Sequence, residues 1–196
     1  MRFADRVSEG NRVQPTPGPD FKRTGERKMT PLAQKADLVD ELSRALVSAE
    51  FGPFYATPGA VVSPLYAPLS AGPGVFTVAR EDNAIGIAAG AALTGHSPVV
   101  LMPNHGLGPS LGAIASLIVP YRVPILLAVS VGADAEEARL LSRITRPMLD
   151  GLGLETIEFD PARSVVEQVN RARDAVRDLR VPTALLIPSA APGRRA

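Results

Sequence analysis

The 196-residue sequence contains no cysteine and no tryptophan. Without thiols there are no disulfides, no thiolate metal sites and no cysteine nucleophile; the absence fits a cytoplasmic protein. Aromatic residues make up only 5%, too few for a base-stacking surface. An excess of either charge is also lacking: 21 Lys and Arg face 20 Asp and Glu, a net charge of +1. That balance leaves no electrostatic footprint for nucleic acid. No apolar run reaches the roughly 20 residues that span a bilayer, so no membrane partner is expected. The opening stretch MRFADRVSEG lacks the apolar segment of a signal peptide. Histidine occurs only as His96 and His105.

What remains is an apolar fraction of 45%, carried mainly by Ala, Val, Leu and Ile, enough for one domain with a good core. Residues 1–30 stand apart. They are polar, broken by Pro and Gly, and carry seven Lys/Arg against four Asp/Glu. They read as a disordered N-terminal extension: a solvated tail, a weak docking arm, or a stretch ahead of a start at Met29. Residues 31–190 form the predicted domain, and 191–196 a flexible tail.

From Thr30 the pattern is periodic. Leu38, Val39, Leu42, Leu46 and Val47 have helical spacing, with Thr30 as N-cap and Pro31 at the first helical position. GPFYATPG is a short strand, VVSPLYAPLS a short irregular helix, and GVFTVA (74–79) a buried strand. A helix is predicted from Glu81 to about Leu93, a strand over 97–102, a helix over 105–119 and a strong buried strand over 123–131. DAEEARLLSRITRPMLDGLG is helical in parts, and LETIEF is a short strand. An amphipathic helix follows, with Asp160 as N-cap and Pro161 at its first position, before a last strand VPTALLIP. Helices alternate with continuously apolar strands. That pattern predicts the α/β class, a doubly wound, mostly parallel sheet with helices on both faces. Ligands in this class bind beyond the carboxyl ends of the strands, which selects loops 57–60, 79–83, 103–109 and 131–135.

In the third loop, Gly106, Gly108 and Gly112 resemble a dinucleotide fingerprint, with Asp134 where a ribose-binding acid would stand. The spacing is G-x-G-x-x-x-G, however, and Pro109 interrupts it. His105 in the same loop is a candidate acid–base group, because imidazole titrates near neutral pH. His96, in the polar turn TGHSP, reads as solvated. Glu81 opens the segment AREDNAIGIAAGAA, in which three charged residues precede a run of small apolar ones. An acid there favours the helix macrodipole. The helix behind it has almost no side-chain bulk, so it is suited to close backbone approach, including by another chain. Partial desolvation at such a lip favours a protonated carboxyl, as a proton shuttle needs.

The run REDNAIGIAAGAALTG resembles the glutamate helix of thiamine diphosphate enzymes, with Glu81 and Gly90 at the family's nine-residue spacing. SPVVLMPNHGLGPSLGAIASLIVPYRVPILLAVS and SRITRPMLDGLG are similar to one subgroup, the small α subunits of sulfopyruvate decarboxylase and the equivalent part of phosphonopyruvate decarboxylase. The likeness covers roughly residues 35–188. It implies a pyrimidine-binding (PYR) domain. Glu81 would hydrogen-bond N1′ of the cofactor's aminopyrimidine and so help deprotonate thiazolium C2. Pro58, Gly59, Asn104 and Gly106 would join Glu81 in cofactor binding, and His105 would assist as a second catalytic group. His105 stands where the subgroup has Ser or Thr and is similar to a histidine of pyruvate decarboxylases that assists proton transfer. No residue of this chain is expected to ligate metal.

In the family, the diphosphate and its Mg²⁺ are held by a Gly-Asp-Gly motif with a downstream asparagine. The sequence contains no Gly-Asp pair at all. The resemblance therefore implies a separate β subunit with a diphosphate-binding (PP) domain that carries the motif, in an α2β2 or larger assembly. The substrate would be a small 2-oxoacid. Two features differ from the subgroup: TPGA stands at 57–60 in place of Pro-Asp-Ser, and Val131–Asp134 lacks the arginine of a basic loop. Both leave open a carboligase outcome, as in acetolactate synthases. A stand-alone nucleotide-binding or regulatory domain is a third reading.

Overall fold

The computed structural model describes residues 31–58, 63–132 and 136–188. Residues 1–30, including the cap expected at Thr30, lie outside the described residues, as do 191–196. Helix α1 (Pro31–Ser48) leads into β1 (Phe54–Ala56), α2 (Ser63–Ala71), β2 (Val75–Thr77) and α3 (Glu81–Leu93). Strand β3 (Val99–Pro103) ends in a single 3-10 turn, Asn104–Gly106, which runs on into α4 (Leu107–Ala113). Then come β4 (Leu126–Val131), α5 (Glu136–Leu152), β5 (Glu155–Glu158), α6 (Val165–Arg177) and β6 (Thr183–Pro188). All strand pairings are parallel, in the order β2-β1-β3-β4-β6-β5.

The alternation of side chains along each strand splits the core into two layers. Phe54, Ala56, Val99, Leu101, Leu126, Ala128 and Leu185 face one side, where α1 and α6 cover them with Leu42, Leu46, Val169 and Val176. Tyr55, Val100, Met102, Leu127, Val129, Ala184 and Leu186 face the other, under Ile85, Ala88, Leu107 and Leu149 of α3, α4 and α5. Central strands buried on both faces need continuous apolar runs, which is why VVLMP and LLAVSV carry no polar alternation. The doubly wound class expected from the sequence is the one found.

Three local expectations need correction. Strand β2 is not buried: it is the sheet edge, and Phe76 is 62% exposed. The helix expected over 105–119 divides into the 3-10 turn, α4 and a π-helical segment, Ile114–Ile118. Helix α6 starts four residues later than its Asp160-Pro161 signal implied. Ser164 is the N-cap, accepting a hydrogen bond from the Glu167 backbone, while Asp160 accepts from Ala162 N in the preceding turn. Ser164-x-x-Glu167 is the capping-box spacing, and it wins over Asp-Pro because it is continuous with the apolar face of the helix.

Candidate active site

Strand β1 pairs with β2 on one side and β3 on the other, so strand order reverses between β1 and β3. The carboxyl end of such a switch point is where this architecture leaves a crevice. Three connections meet there. Thr57 follows β1, the stretch Val78–Arg80 follows β2 and delivers Glu81 as the first residue of α3, and Asn104–Gly106 follows β3.

Thr57 is buried, and its hydroxyl donates to Glu81 Oε1 at 2.7 Å. Among the described residues, Glu81 Oε2 accepts no hydrogen bond and Glu81 has no ion pair. Its neighbours explain why. Arg80 is committed to Asp82, Nη2 lying 2.9 Å from Oδ2 and Nε donating to Oδ1 at 3.0 Å. That hydrogen bond, reinforced by charge, raises the Arg80 pKa. The same hydrogen bond lowers the pKa of Asp82, and the Asn83 backbone adds to the effect. Two of the three charges before the small-residue run therefore neutralise each other at the surface. The third, Glu81, has no ion pair among the described residues and lies half-buried at the positive end of α3.

Asn104 is 7% exposed, and its Nδ2 has no hydrogen-bond partner among the described residues. A buried amide donor without a partner is costly and points to a missing acceptor. His105 sits between Asn104 and Gly106 in the same turn and is exposed. Gly106 packs against the Glu81 side chain. Pro58 is exposed directly after Thr57; Gly59 lies outside the described residues, as does Asp134. His96 is exposed near the amino end of β3, away from the site, with Nδ1 3.1 Å from Thr94 Oγ1. The structure thus brings Glu81, Asn104, His105, Gly106 and Pro58 to one sheet end. Sequence reasoning missed Thr57; the available signal was its place as the first residue after a strand.

The glycines argue against the dinucleotide reading. In that fingerprint the third glycine allows close helix–strand packing. A side chain at Gly112 would meet nothing within 4 Å. The small residues of α3 divide by face. Ala84, Ala88, Ala89 and Ala92 are buried in the chain's own core, whereas Gly86 and Gly90 are exposed with open space beside them. Neither glycine is required by packing among the described residues.

A sulfopyruvate decarboxylase subunit alpha from Methanococcus maripaludis is 33% identical over 115 residues, which make up 56% of this chain and 68% of that one. The chain belongs to the sulfopyruvate decarboxylase α-subunit family. A second α subunit, from Methanocaldococcus jannaschii, is 33% identical over 111 residues, covering 55% of this chain and 66% of its own. No family model matches the chain. Among solved structures, a 2-oxoglutarate:ferredoxin oxidoreductase from Magnetococcus marinus superposes with a TM-score of 0.60 over 78% of this chain and 28% of that one. At 11% identity that likeness concerns the fold alone. For a member of this α-subunit family, the crevice at the β1/β3 switch point is the place to seek its share of an active site. No helix among the described residues is long and apolar enough to cross a membrane.

Proposed function

We propose that the chain is the PYR subunit of a heteromeric, thiamine diphosphate-dependent 2-oxoacid decarboxylase, with Glu81 as the acid that activates the cofactor's aminopyrimidine. The observation that carries this reading is the state of Glu81: half-buried, at the switch point, held by Thr57 through one oxygen, and without an ion pair among the described residues.

The residues present fit one half of the cofactor. An aminopyrimidine offers ring nitrogens and an amino group. Glu81 Oε2 is an unspent proton carrier, and Asn104 Nδ2 is an unspent buried donor suited to a ring nitrogen. The other half finds nothing here. Among the described residues no group of three or more His, Asp or Glu is placed to hold a metal ion. The sequence has no Gly-Asp pair either. A β subunit with a PP domain would hold the diphosphate and Mg²⁺, and the open glycine face of α3 allows its close approach.

When bound, thiamine diphosphate supplies a carbon nucleophile and an electron sink for loss of CO₂ from a 2-oxoacid. This chain's part is proton management. Glu81 holds a proton at Oε2 and exchanges it with the pyrimidine ring, at a positioned acid's usual worth of ~10²–10⁴-fold in rate. Asn104 orients the ring. Exposed His105, in the same turn, is placed to deliver a proton to product or to orient a substrate.

The test is reconstitution. The chain with its β partner, thiamine diphosphate and Mg²⁺ should release CO₂ from sulfopyruvate or a related 2-oxoacid, and either chain alone should not. Equal release by the α chain alone would refute the two-chain reading. A carboligase outcome is favoured by one feature, the absence of Arg from Val131–Asp134, since Arg is the natural ligand of a sulfonate. Product analysis with and without an acceptor carbonyl separates the two.

A further inference from the structure

Gly106 raises a question its backbone does not answer. Its φ of −71° and ψ of −14° are ordinary right-handed values that any residue adopts. A Cβ built there, however, would stand 2.5 Å from Glu81 Cγ, 2.6 Å from Cδ and 3.0 Å from Oε1. Among the described glycines this is where an added methyl meets contacts below 3.0 Å; Gly86, Gly90, Gly108 and Gly112 would meet nothing within 4 Å. The glycine makes room for one side chain, the carboxyl 25 positions earlier in the sequence.

The geometry points to a two-sided seat for Glu81, with Gly106 as its floor and Thr57 as its clamp, both of them positioning residues. The clamp is rigid because Thr57 is buried and follows a strand paired on both sides. The floor is rigid because Ser110 Oγ donates to Gly106 O at 2.7 Å and Leu107 is fully buried. Neither side can retreat cheaply, so a side chain at position 106 would have to displace the flexible end of Glu81 itself. Thr57 occupies Oε1, and the floor excludes rotamers that would swing the carboxyl down onto the turn. Oε2 is thereby kept as the oxygen that carries the proton. A flexible glutamate gives up rotamer freedom at folding instead of at the moment of reaction. The catalytic consequence rests on the proton-transfer role proposed above; the seat itself does not.

A double-mutant cycle on the full chain without cofactor tests the seat. Gly106→Ala should lower the melting temperature by about 1–3 °C, a small cost because the atoms it displaces are the flexible end of Glu81. In a Glu81→Ala background the same change should cost nothing. If Gly106→Ala alone does not fold, recovery of folded protein in the double variant is the equivalent result. An equal cost in both backgrounds, no cost in either, or a double variant that also fails to fold overturns the floor. The clamp is read in the reconstituted complex. Thr57→Val should lower kcat about tenfold with little change in KM, and Thr57→Ser should restore it. Full kcat in Thr57→Val, or no rescue by Ser, overturns the clamp. Failure of the proposed function looks different: Glu81→Gln would keep its rate while the melting cycle still showed coupling.

Discussion

The two ends of the sheet use charge in opposite ways. At the β6/β5 edge, α6 and its neighbours spend their charged groups on one another. Arg171 pairs with Glu155 at 2.8 Å, Arg163 with Asp160 at 3.3 Å and Arg173 with Asp174 at 2.8 Å. A wide surface cleft lies there, lined by Phe159, Arg163, Gln168 and Arg171. Most of its charged groups are spent on one another, although Thr156 Oγ1 of β5 is buried without a partner among the described residues. Gln168 donates to Asp160 O and accepts from Asp160 N, and the guanidiniums have their carboxylates. At the β1/β3 switch point one carboxylate oxygen of Glu81 and one buried amide of Asn104 have no partner among the described residues. What sets the switch point apart is a carboxylate without an ion pair next to a sheet-end turn that carries an unpartnered buried amide.

Substitutions at the two ends should separate accordingly. The largest effect is expected from Glu81→Gln. In the reconstituted complex it should lower the decarboxylation rate by ~10²–10⁴-fold. The melting temperature of the α chain should stay nearly constant, because Gln keeps the volume and an acceptor for Thr57. A full-rate variant would erase the contrast between the ends. Next is Asn104→Ala, which should weaken thiamine diphosphate binding about tenfold, the worth of one lost hydrogen bond. Folding should be little affected, since the amide donor lost was unpaired in the folded chain.

Stability effects are expected away from the carboxyl ends of β1 and β3. Arg177 joins α6 to two distant segments, donating to Ser97 Oγ at 2.8 Å and to Glu50 O at 2.6 Å and pairing with Glu50 Oε2 at 2.7 Å. Arg177→Met should cost about 1–2 kcal/mol in urea unfolding, mainly through the Ser97 and carbonyl bonds, and leave catalysis unchanged. The Arg177 hydrogen bond, and then its charge, holds the Glu50 carboxyl below its ordinary range. A lowered folded-state pKa stabilises above the unfolded carboxylate value of about 4.3 and stops doing so as pH falls through the folded value. The deficit of Arg177→Met relative to wild type should therefore shrink below about pH 4. The smallest effect is expected from Arg171→Ala. Its pair with Glu155 is exposed, and the change should stay within about 0.5 kcal/mol.

Much of this architecture was legible in the sequence because it is locally encoded. VVLMP, LLAVSV and TALLIP announce buried parallel strands by composition alone. The errors have nonlocal or competing causes. Phe76 belongs to an apolar run, but whether a strand lies inside a sheet or at its edge is decided by its neighbours. At α6 two cap signals stand four residues apart, Asp160-Pro161 and Ser164-x-x-Glu167, and the more familiar dipeptide was the weaker one. At the site, Glu81 was legible through its helix, Asn104 and Gly106 through their strand end. Thr57 was not, because its meaning is a contact across 24 positions. The steric reason for Gly106 is hidden in the same way, in a closeness to Glu81 that only the folded chain reveals.

The central claim is that this chain holds half of a cofactor site and a second chain holds the rest. Calorimetric titration of thiamine diphosphate with Mg²⁺, into the α chain alone and into the reconstituted complex, tests it most directly. The account predicts saturable binding in the complex and none of comparable affinity in the α chain. Equal affinity in both would contradict it.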